Sequence, residues 1–194
     1  MSSLALDIFS RLISQVDEIE AAAARAETDG FAATAPVLRR SGFVLAVASI
    51  DTYFHEQATR LLTAAALRSA TEATVVANYA QNVSGSDVSG TAGESHIRMR
   101  LSYKTLVSPK SIDAAMTAAG IDPSIVWRDT AFALGTRPDR LRLQLDLLYD
   151  RRNQIAHEGD WDLVQLDFRN MEKAHLDDCT RYASMLTGAM DPLL

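Results

Sequence analysis

The sequence predicts an all-α protein: a bundle of four to five main helices with an insertion of short helices. Apolar residues recur at three- and four-residue intervals along most of the chain, no stretch alternates as a strand does, and Ser-Pro and Asp-Pro pairs mark helix starts. The chain has 194 residues, 47% of them hydrophobic. This length suits one well-buried core, so we expect a single domain over residues 1–194.

The first two predicted helices are long. The first ends near residue 27, and its apolar face comprises Leu4, Ile8, Leu12, Val16 and Ile19. The second has Pro36 in its first turn and continues over residues 37–62. Because residues 43–48 are apolar on nearly every side, we expect this second helix to lie at the centre of the bundle.

Residues 66–134 form a predicted variable insertion within the domain. We expect a weaker helix over 66–83 and a mobile, glycine-rich loop over 84–93, followed by a short segment over 94–106. Two short helices are then expected near 109–119 and 123–134, because Ser108-Pro109 and Asp122-Pro123 each combine a capping residue with a proline.

Two further helices complete the predicted bundle. The segment from Thr136 to Pro138 opens the motif helix, which we place at 138–157, and Gly159 with Asp160 marks the break after it. A final helix is expected from about Asp162 to Leu186.

Composition excludes several classes of protein. The net charge of -6 argues against broad nucleic-acid coating, although a local basic site remains compatible with it. Cys179 is the single cysteine, which indicates a reducing, cytoplasmic setting. The N-terminal residues lack the features of a signal peptide, and the most apolar run, residues 43–50, is far shorter than the roughly 20 residues of a membrane span. We therefore expect no membrane association.

The strongest chemical motif is the run Arg151-Arg152-Asn153-Gln154-Ile155-Ala156-His157-Glu158-Gly159. A guanidinium is a permanent, fork-shaped phosphate ligand. An imidazole exchanges protons near neutral pH. A helix-capping interpretation remains open beside the catalytic one, since a His in the last turn followed by Gly is common helix-ending chemistry.

Helical geometry adds two expectations for this motif. On a helix, Arg152 lies in the middle of an apolar stripe formed by Leu141, Leu145, Leu148 and Ile155. A second stripe, Asp146, Asp150, Asn153 and His157, could hydrogen-bond in sequence, although an ordinary solvated face is the alternative. Arg152 and His157 point about 140° apart on an ideal helix, so a phosphate site would need the helix to end near residue 156 or a second copy of the chain.

Residues 152–159 resemble the Arg-x4–6-His motif of the HEPN superfamily, with the common Asn directly after Arg. Residues 38–54 resemble the long second helix of HEPN proteins of the RiboL-PSP type, in which an apolar run ends in an acidic and an aromatic residue; Asp51 and Tyr53 occupy those places. The resemblance covers about 38–62 and 137–187. It leaves 66–134 unmatched.

This resemblance implies a homodimer in which the motifs of two chains meet, and a metal-independent endoribonuclease, often a toxin or phage-defence effector with an antitoxin or partner protein. It implies His157 as general acid or base, Arg152 as the group that neutralises phosphate charge, and Asn153 as an orienting residue. No cofactor or metal is implied. Gly159 stands where HEPN toxins paired with nucleotidyltransferase antitoxins have a tyrosine, so regulation through that tyrosine is not expected.

Other residues are weaker candidates. Given the resemblance, Asp51 is expected to support His157, with Asp146, Asp150 and Arg151 as further supporting residues; a metal site at Asp51, His55 and Glu56 is disfavoured because no second His lies at ligand spacing. A basic segment that could guide RNA contains Arg98, Arg100 and Lys104, although a solvated helix face is the alternative. The alternative function is a catalytically inactive HEPN module that binds RNA, nucleotide or another protein.

Overall fold

The computed structural model describes residues 3–194, and these form an all-α bundle, which confirms the predicted fold class. The long helices are α1 (Leu4–Thr28), α2 (Thr34–Arg68), α8 (Pro138–Glu158) and α9 (Lys173–Met190). The short helices are α3 (Ala70–Ala80), α4 (Gly85–Ser89), α5 (Gly93–Leu101), α6 (Pro109–Ala118) and α7 (Pro123–Ala133). The strands β1 (Trp161–Asp162) and β2 (Asp167–Phe168) form one antiparallel hairpin between α8 and α9, and a 3-10 turn, Asp191–Leu193, follows α9.

Helix α2 is the centre of the bundle, as its apolar composition predicts. It contacts α1, α3, α4, α5, α6, α8 and α9. Its buried side chains lie all around the helix rather than on one stripe, because neighbours surround it.

Helix α1 packs along α2 through a stripe displaced from the predicted one. Ala5, Phe9 and Val16 are buried, whereas Leu4 is 68% exposed. Periodicity alone cannot decide which of two adjacent apolar rows faces the core, and here α2 covers the row centred on Phe9. Arg39 of α2 is buried and forms ion pairs with Glu20 and Glu27 of α1, at 3.0 and 2.6 Å.

Residues 66–134 share the hydrophobic core with the long helices. Their fully buried side chains include Val88, Ile97, Leu101, Ile112 and Trp127. The helices predicted near 109–119 and 123–134 are present as α6 and α7, each with a capping side chain before its proline. The boundary predicted at residue 66 was wrong: α2 continues to Arg68, and Ser69 caps α3.

The expected loop over 84–93 contains a helix. Ser84 and Asp87 form a reciprocal capping box that starts α4. A Cβ atom on Gly93 would lie 2.1 Å from the carbonyl oxygen of Val88, so only glycine permits this approach. Gly93, one of the glycines that suggested mobility, therefore makes close packing possible.

The start predicted for the final helix was also wrong. Residues 162–168 belong to the β1–β2 hairpin, and α9 begins at Lys173 after the N-cap Glu172. The apolar residues of 161–168 have the spacing in the sequence that one face of a helix would have. In the structure most of them are exposed to solvent rather than packed on the bundle.

Candidate functional site

The motif helix α8 runs without interruption through His157. Pro138 occupies its first turn, and Gly159 ends it with a left-handed backbone (φ 64°) whose N–H donates to the carbonyl of Gln154. Because the helix continues to Glu158, Arg152 and His157 stay about 140° apart around its axis. Within one chain they do not converge on one phosphate.

Arg152 is half-buried on the face of α8 that Leu141 and Leu145 pack against the core. Its Nη1 donates to the Oδ1 of Asn153 at 3.0 Å. Among residues 3–194, no carboxylate pairs with this guanidinium. Arg152 therefore retains its charge and most of its donors for an external anion.

His157 is exposed, and its ring hydrogen-bonds to no protein group in the described part of the chain. Of the two alternatives for the row Asp146, Asp150, Asn153 and His157, the described residues fit the solvated face: no hydrogen bond joins these side chains, and the Asn153 amide oxygen accepts from Arg152. Asp146 and Asp150 are exposed; slight desolvation and the Asp150 charge raise the pKa of Asp146 above its usual range.

Asp160 holds the C-terminal end of α8 in place through ion pairs. From the sequence, Asp160 was predicted only to mark the break after the motif helix. Its side chain is fully buried, with a positive φ of 63°. Its carboxylate accepts from Arg40 Nε at 2.7 Å and from both terminal nitrogens of Arg151, one of them at 3.0 Å. Asp160 thus ties α8 to α2.

Arg151, a predicted supporting residue, belongs to this buried cluster rather than to the exposed motif. Burial lowers the pKa of its guanidinium from the usual value, with Asp160 opposing that shift and the charges of Arg169 and Arg40 adding to it. Its Nη2 also donates to the carbonyl of Asn170 at 3.3 Å. Arg151 therefore holds the helix end in place. Few of its N–H donors remain available to a ligand.

Asp51 lies on a part of α2 that is distant from the end of α8, which Arg40 contacts through Asp160. It is eleven residues beyond Arg40 on α2, about 16 Å along the helix axis. Its carboxylate accepts from the backbone N–H of Leu106 and lies 3.3 Å from Nδ1 of His55. Within one chain the structure therefore does not bring Asp51 to His157.

The predicted basic segment is only partly free. The Arg98 guanidinium forms ion pairs with two glutamates. Its Nη2 lies 3.0 Å from Oε2 of Glu56 and 3.3 Å from Oε1 of Glu94. Arg100 and Lys104 have no carboxylate partner among the described residues; they lie against the rings of Tyr103 and Tyr79, at 5.5 and 4.8 Å from the ring centres. The unpaired charge in this segment is that of Arg100 and Lys104.

No group of three or more His, Cys, Asp or Glu side chains in residues 3–194 is arranged to hold a metal ion. Across the same residues, no helix combines the length and apolar character that a membrane span requires.

Comparisons with models of known protein families, with curated proteins and with solved structures find no match to this chain.

Proposed function

We propose that this protein is a metal-independent endoribonuclease of the HEPN type that works as a homodimer. The observation that carries the proposal is the pair of groups at the exposed end of α8: an Arg152 guanidinium with no carboxylate partner among the described residues, and a His157 imidazole with no protein partner among them. A cationic group and a proton-transfer group are what cleavage of a phosphodiester needs.

The proposed reaction uses the 2′-hydroxyl of RNA as nucleophile. His157 takes the 2′-hydroxyl proton as the 2′ oxygen bonds to phosphorus, the bond from phosphorus to the 5′ oxygen breaks, and that oxygen takes up a proton. The products are a 2′,3′-cyclic phosphate and a 5′-hydroxyl. Arg152 neutralises the charge that develops on the phosphate. Asn153 orients the Arg152 guanidinium through the 3.0 Å hydrogen bond between them.

The site is composite in this proposal. Since α8 keeps Arg152 and His157 on different faces, Arg152 of one copy acts with His157 of another across a two-fold axis. Arg100 and Lys104 are the residues proposed to contact the RNA backbone away from the site, and Arg98 is left out because two glutamates neutralise it. A role as a toxin or phage-defence effector, with an antitoxin or partner protein, rests on the sequence resemblance alone.

The test is cleavage of end-labelled RNA in the presence of a metal chelator. We expect the unmodified protein to cut the RNA and leave 2′,3′-cyclic phosphate ends. His157→Ala and Arg152→Ala should each lower the rate by about 10²–10⁴-fold, the usual contribution of a proton-transfer or charge-stabilising group. Arg140→Ala is the matched control, because Arg140 is an exposed arginine of α8 that also lacks a carboxylate partner among the described residues.

Two results contradict the proposal. One is unmodified protein that binds RNA and leaves it intact, which favours the inactive binding module. The other is cleavage that persists in His157→Ala. Circular dichroism of each variant separates loss of activity from loss of fold.

A further inference from the structure

An exposed tyrosine and two cations lie together at the end of α5. The Tyr103 side chain is 78% exposed. The Arg100 guanidinium lies 5.5 Å from the centre of the Tyr103 ring, and the Lys104 ammonium lies 4.8 Å from the centre of the Tyr79 ring. These four residues, Tyr79, Arg100, Tyr103 and Lys104, form what we call the aromatic–cation patch.

The protein itself leaves the cations of this patch unpaired. No carboxylate among residues 3–194 forms an ion pair with Arg100 or Lys104, and the buried Nε of Arg100 has no hydrogen-bond partner there. A buried polar atom without a partner is rare in folded proteins and calls for a cause. No described protein acceptor therefore competes with an external anion for either cation.

Three acidic side chains around the end of α5 already have cationic partners. Glu56 and Glu94 both bind Arg98, and Asp51 lies 3.3 Å from Nδ1 of His55. His55 is protonated because carbonyl oxygens face both of its ring nitrogens. The cations here outnumber the three carboxylates by one; they are Arg98, Arg100, Lys104 and His55. In a chain whose net charge is -6, this local excess favours an anionic ligand at the patch.

The turn that displays Tyr103 is anchored to α2. The N–H of Lys104 donates to the carbonyl of Leu101 at 2.8 Å. Nε2 of His55 lies 3.0 and 3.1 Å from the carbonyl oxygens of Leu101 and Lys104, and the Asp51 carboxylate accepts from the backbone N–H of Leu106. Because the turn is already ordered, binding of a ligand at Tyr103 costs little conformational entropy.

An open aromatic face beside unpaired cations fits one nucleotide of a single strand. Since Tyr103 is 78% exposed, Arg100 covers at most one face of its ring and leaves the other open. A nucleobase of any identity stacks on such a face, and the phosphates of the strand bind arginine and lysine. A paired base is covered by its neighbours in the duplex and does not reach the ring. An acidic peptide would use the cations and leave the ring unused.

We propose that the aromatic–cation patch binds an unpaired nucleotide of a single-stranded nucleic acid: its base stacks on the open face of Tyr103, and the adjacent phosphates contact Arg100 and Lys104. Stacking adds selection for an unpaired base to the backbone contacts proposed above. The patch is remote from the motif, because His55, which anchors it, lies fifteen residues beyond Arg40 on α2, about 22 Å along the helix axis. The proposal stands without the ribonuclease.

The first test is binding of a fluorescein-labelled, single-stranded oligodeoxynucleotide, followed by fluorescence anisotropy. This probe has no 2′-hydroxyl, so the proposed ribonuclease cannot cut it and binding is measured apart from cleavage. Tyr103→Leu should weaken binding by about 5- to 150-fold, the loss of one stacked base, whereas Tyr103→Phe should bind as the unmodified protein does. Phe132→Leu is the matched control, because Phe132 is 87% exposed on α7 and no cation of the described chain lies over its ring.

Competitors and salt separate the stacked base from general attraction of anions. Lys104→Gln should lower the slope of log affinity against log salt concentration by about 0.7, the value for one phosphate contact of a single strand. A duplex of the same sequence should bind more weakly than the single strand. AMP and a polyglutamate peptide should each compete only weakly with the strand, because AMP offers one phosphate and the peptide has no base.

The second test locates the base by a photochemical cross-link. A single strand that carries 5-iodouracil, irradiated in the complex, should attach to the peptide that contains Tyr103, which mass spectrometry identifies. Tyr103→Leu should abolish this cross-link, and Phe132→Leu should retain it.

Four results overturn the proposal: a single strand that does not bind, a duplex that binds as tightly as the single strand, a Tyr103→Leu protein that binds as tightly as the unmodified one, and AMP or polyglutamate that binds as tightly as the strand. Because Tyr103 is exposed, the melting temperature of its variants should stay near that of the unmodified protein.

RNA cleavage measured on the same samples distinguishes failure of the patch from failure of the ribonuclease. If both proposals hold, Tyr103→Leu should raise KM for RNA and leave kcat unchanged, because the patch contributes binding away from the reacting bond. Strand binding that depends on Tyr103 in a protein that never cuts RNA contradicts the ribonuclease alone. Cleavage with an unchanged KM in Tyr103→Leu contradicts the patch alone.

Discussion

At the scale of single residues, the candidate site depends most on Asp160, a side chain outside the motif. Its fully buried carboxylate neutralises Arg40 and Arg151, and Arg40 Nη2 also donates to the carbonyl of Arg169 at 2.6 Å. The Arg40 guanidinium further lies 5.3 Å from the centre of the Phe168 ring. The Asp160 carboxylate therefore holds together α2, the end of α8 and the β1–β2 hairpin (residues 161–168).

The substitution Asp160→Asn should lower the free energy of unfolding by about 2–3 kcal/mol, because it leaves two partly buried arginines without their countercharge. Asn tolerates the left-handed backbone at this position, so the substitution tests charge rather than backbone strain. Chemical denaturation measures the effect.

Asp139→Asn is the matched control for Asp160→Asn. It breaks an exposed ion pair with Arg137 and should change stability by less than about 1 kcal/mol. Equal effects of the two substitutions would contradict the role given to Asp160.

His55 is a second residue with a structural role that the motif does not include. Its Nδ1 lies 2.8 Å from the carbonyl oxygen of Asp51, and its Nε2 lies 3.0 and 3.1 Å from the carbonyl oxygens of Leu101 and Lys104. Since oxygen acceptors face both nitrogens, both must carry protons. Burial lowers the pKa of His55, but the hydrogen bonds and the Asp51 charge outweigh it and raise the pKa to about 9.

Stability should therefore fall as the pH rises past neutrality. A histidine with a folded-state pKa above its unfolded value contributes fully below about pH 6.5 and loses that contribution as the pH passes about 9. We expect a loss of about 1–3 kcal/mol between these limits, measured by denaturation at a series of pH values. In His55→Gln this part of the pH dependence should disappear; its persistence would show that another group is responsible.

At the scale of elements, the end of α8 decides how the motif is displayed. The left-handed Gly159 stops the helix directly after Glu158, so His157 stays in the last turn and the chain turns back to form the hairpin. The helix-capping interpretation of Gly159 is correct. It does not compete with the catalytic hypothesis, because Gly159 ends the helix while His157 remains exposed.

Two glycine substitutions should have opposite effects. Gly159→Ala should lower the free energy of unfolding by about 1 kcal/mol, because the left-handed backbone disfavours a Cβ atom although no neighbour lies within 4 Å. Gly188→Ala, within α9 and with equally open space, should raise it by about 0.5–1 kcal/mol. Thermal melts compare the two; a stabilising Gly159→Ala would refute the assigned cap.

At the scale of the whole molecule, the central helix α2 separates two regions. Near Arg40 it holds the end of α8, and near Asp51 and His55 it holds the segment after α5. The resemblance placed Asp51 with His157 because sequence similarity aligns positions without giving distances in this chain. About 16 Å of helix separates Asp51 from Arg40, so within one chain Asp51 supports local structure.

Mixed dimers test whether the proposed site is shared between copies. An inactive Arg152→Ala protein and an inactive His157→Ala protein, mixed in equal amounts and allowed to exchange subunits, should recover about a quarter of the original RNA cleavage, because half of the dimers are mixed and each holds one intact site of two. Each variant mixed with itself is the control. No recovery, after exchange is verified by mass, would mean that one chain supplies both groups.

The sequence by itself determined the all-α class, the long helices and the helical position of the motif, because helical periodicity and capping chemistry are local properties. Residue spacing puts Arg152 and His157 on different faces of any helix that holds both, and only the structure decided that α8 continues through His157 to Glu158. Only the tertiary structure decided the partners of Asp160, one of which lies 120 positions away along the chain. It alone decided that residues 161–168 form a hairpin rather than a helix. The left-handed backbone at Gly159 and Asp160 turns the chain there, and the ion pair of Asp160 with Arg40 holds this turn through a residue that is distant in sequence.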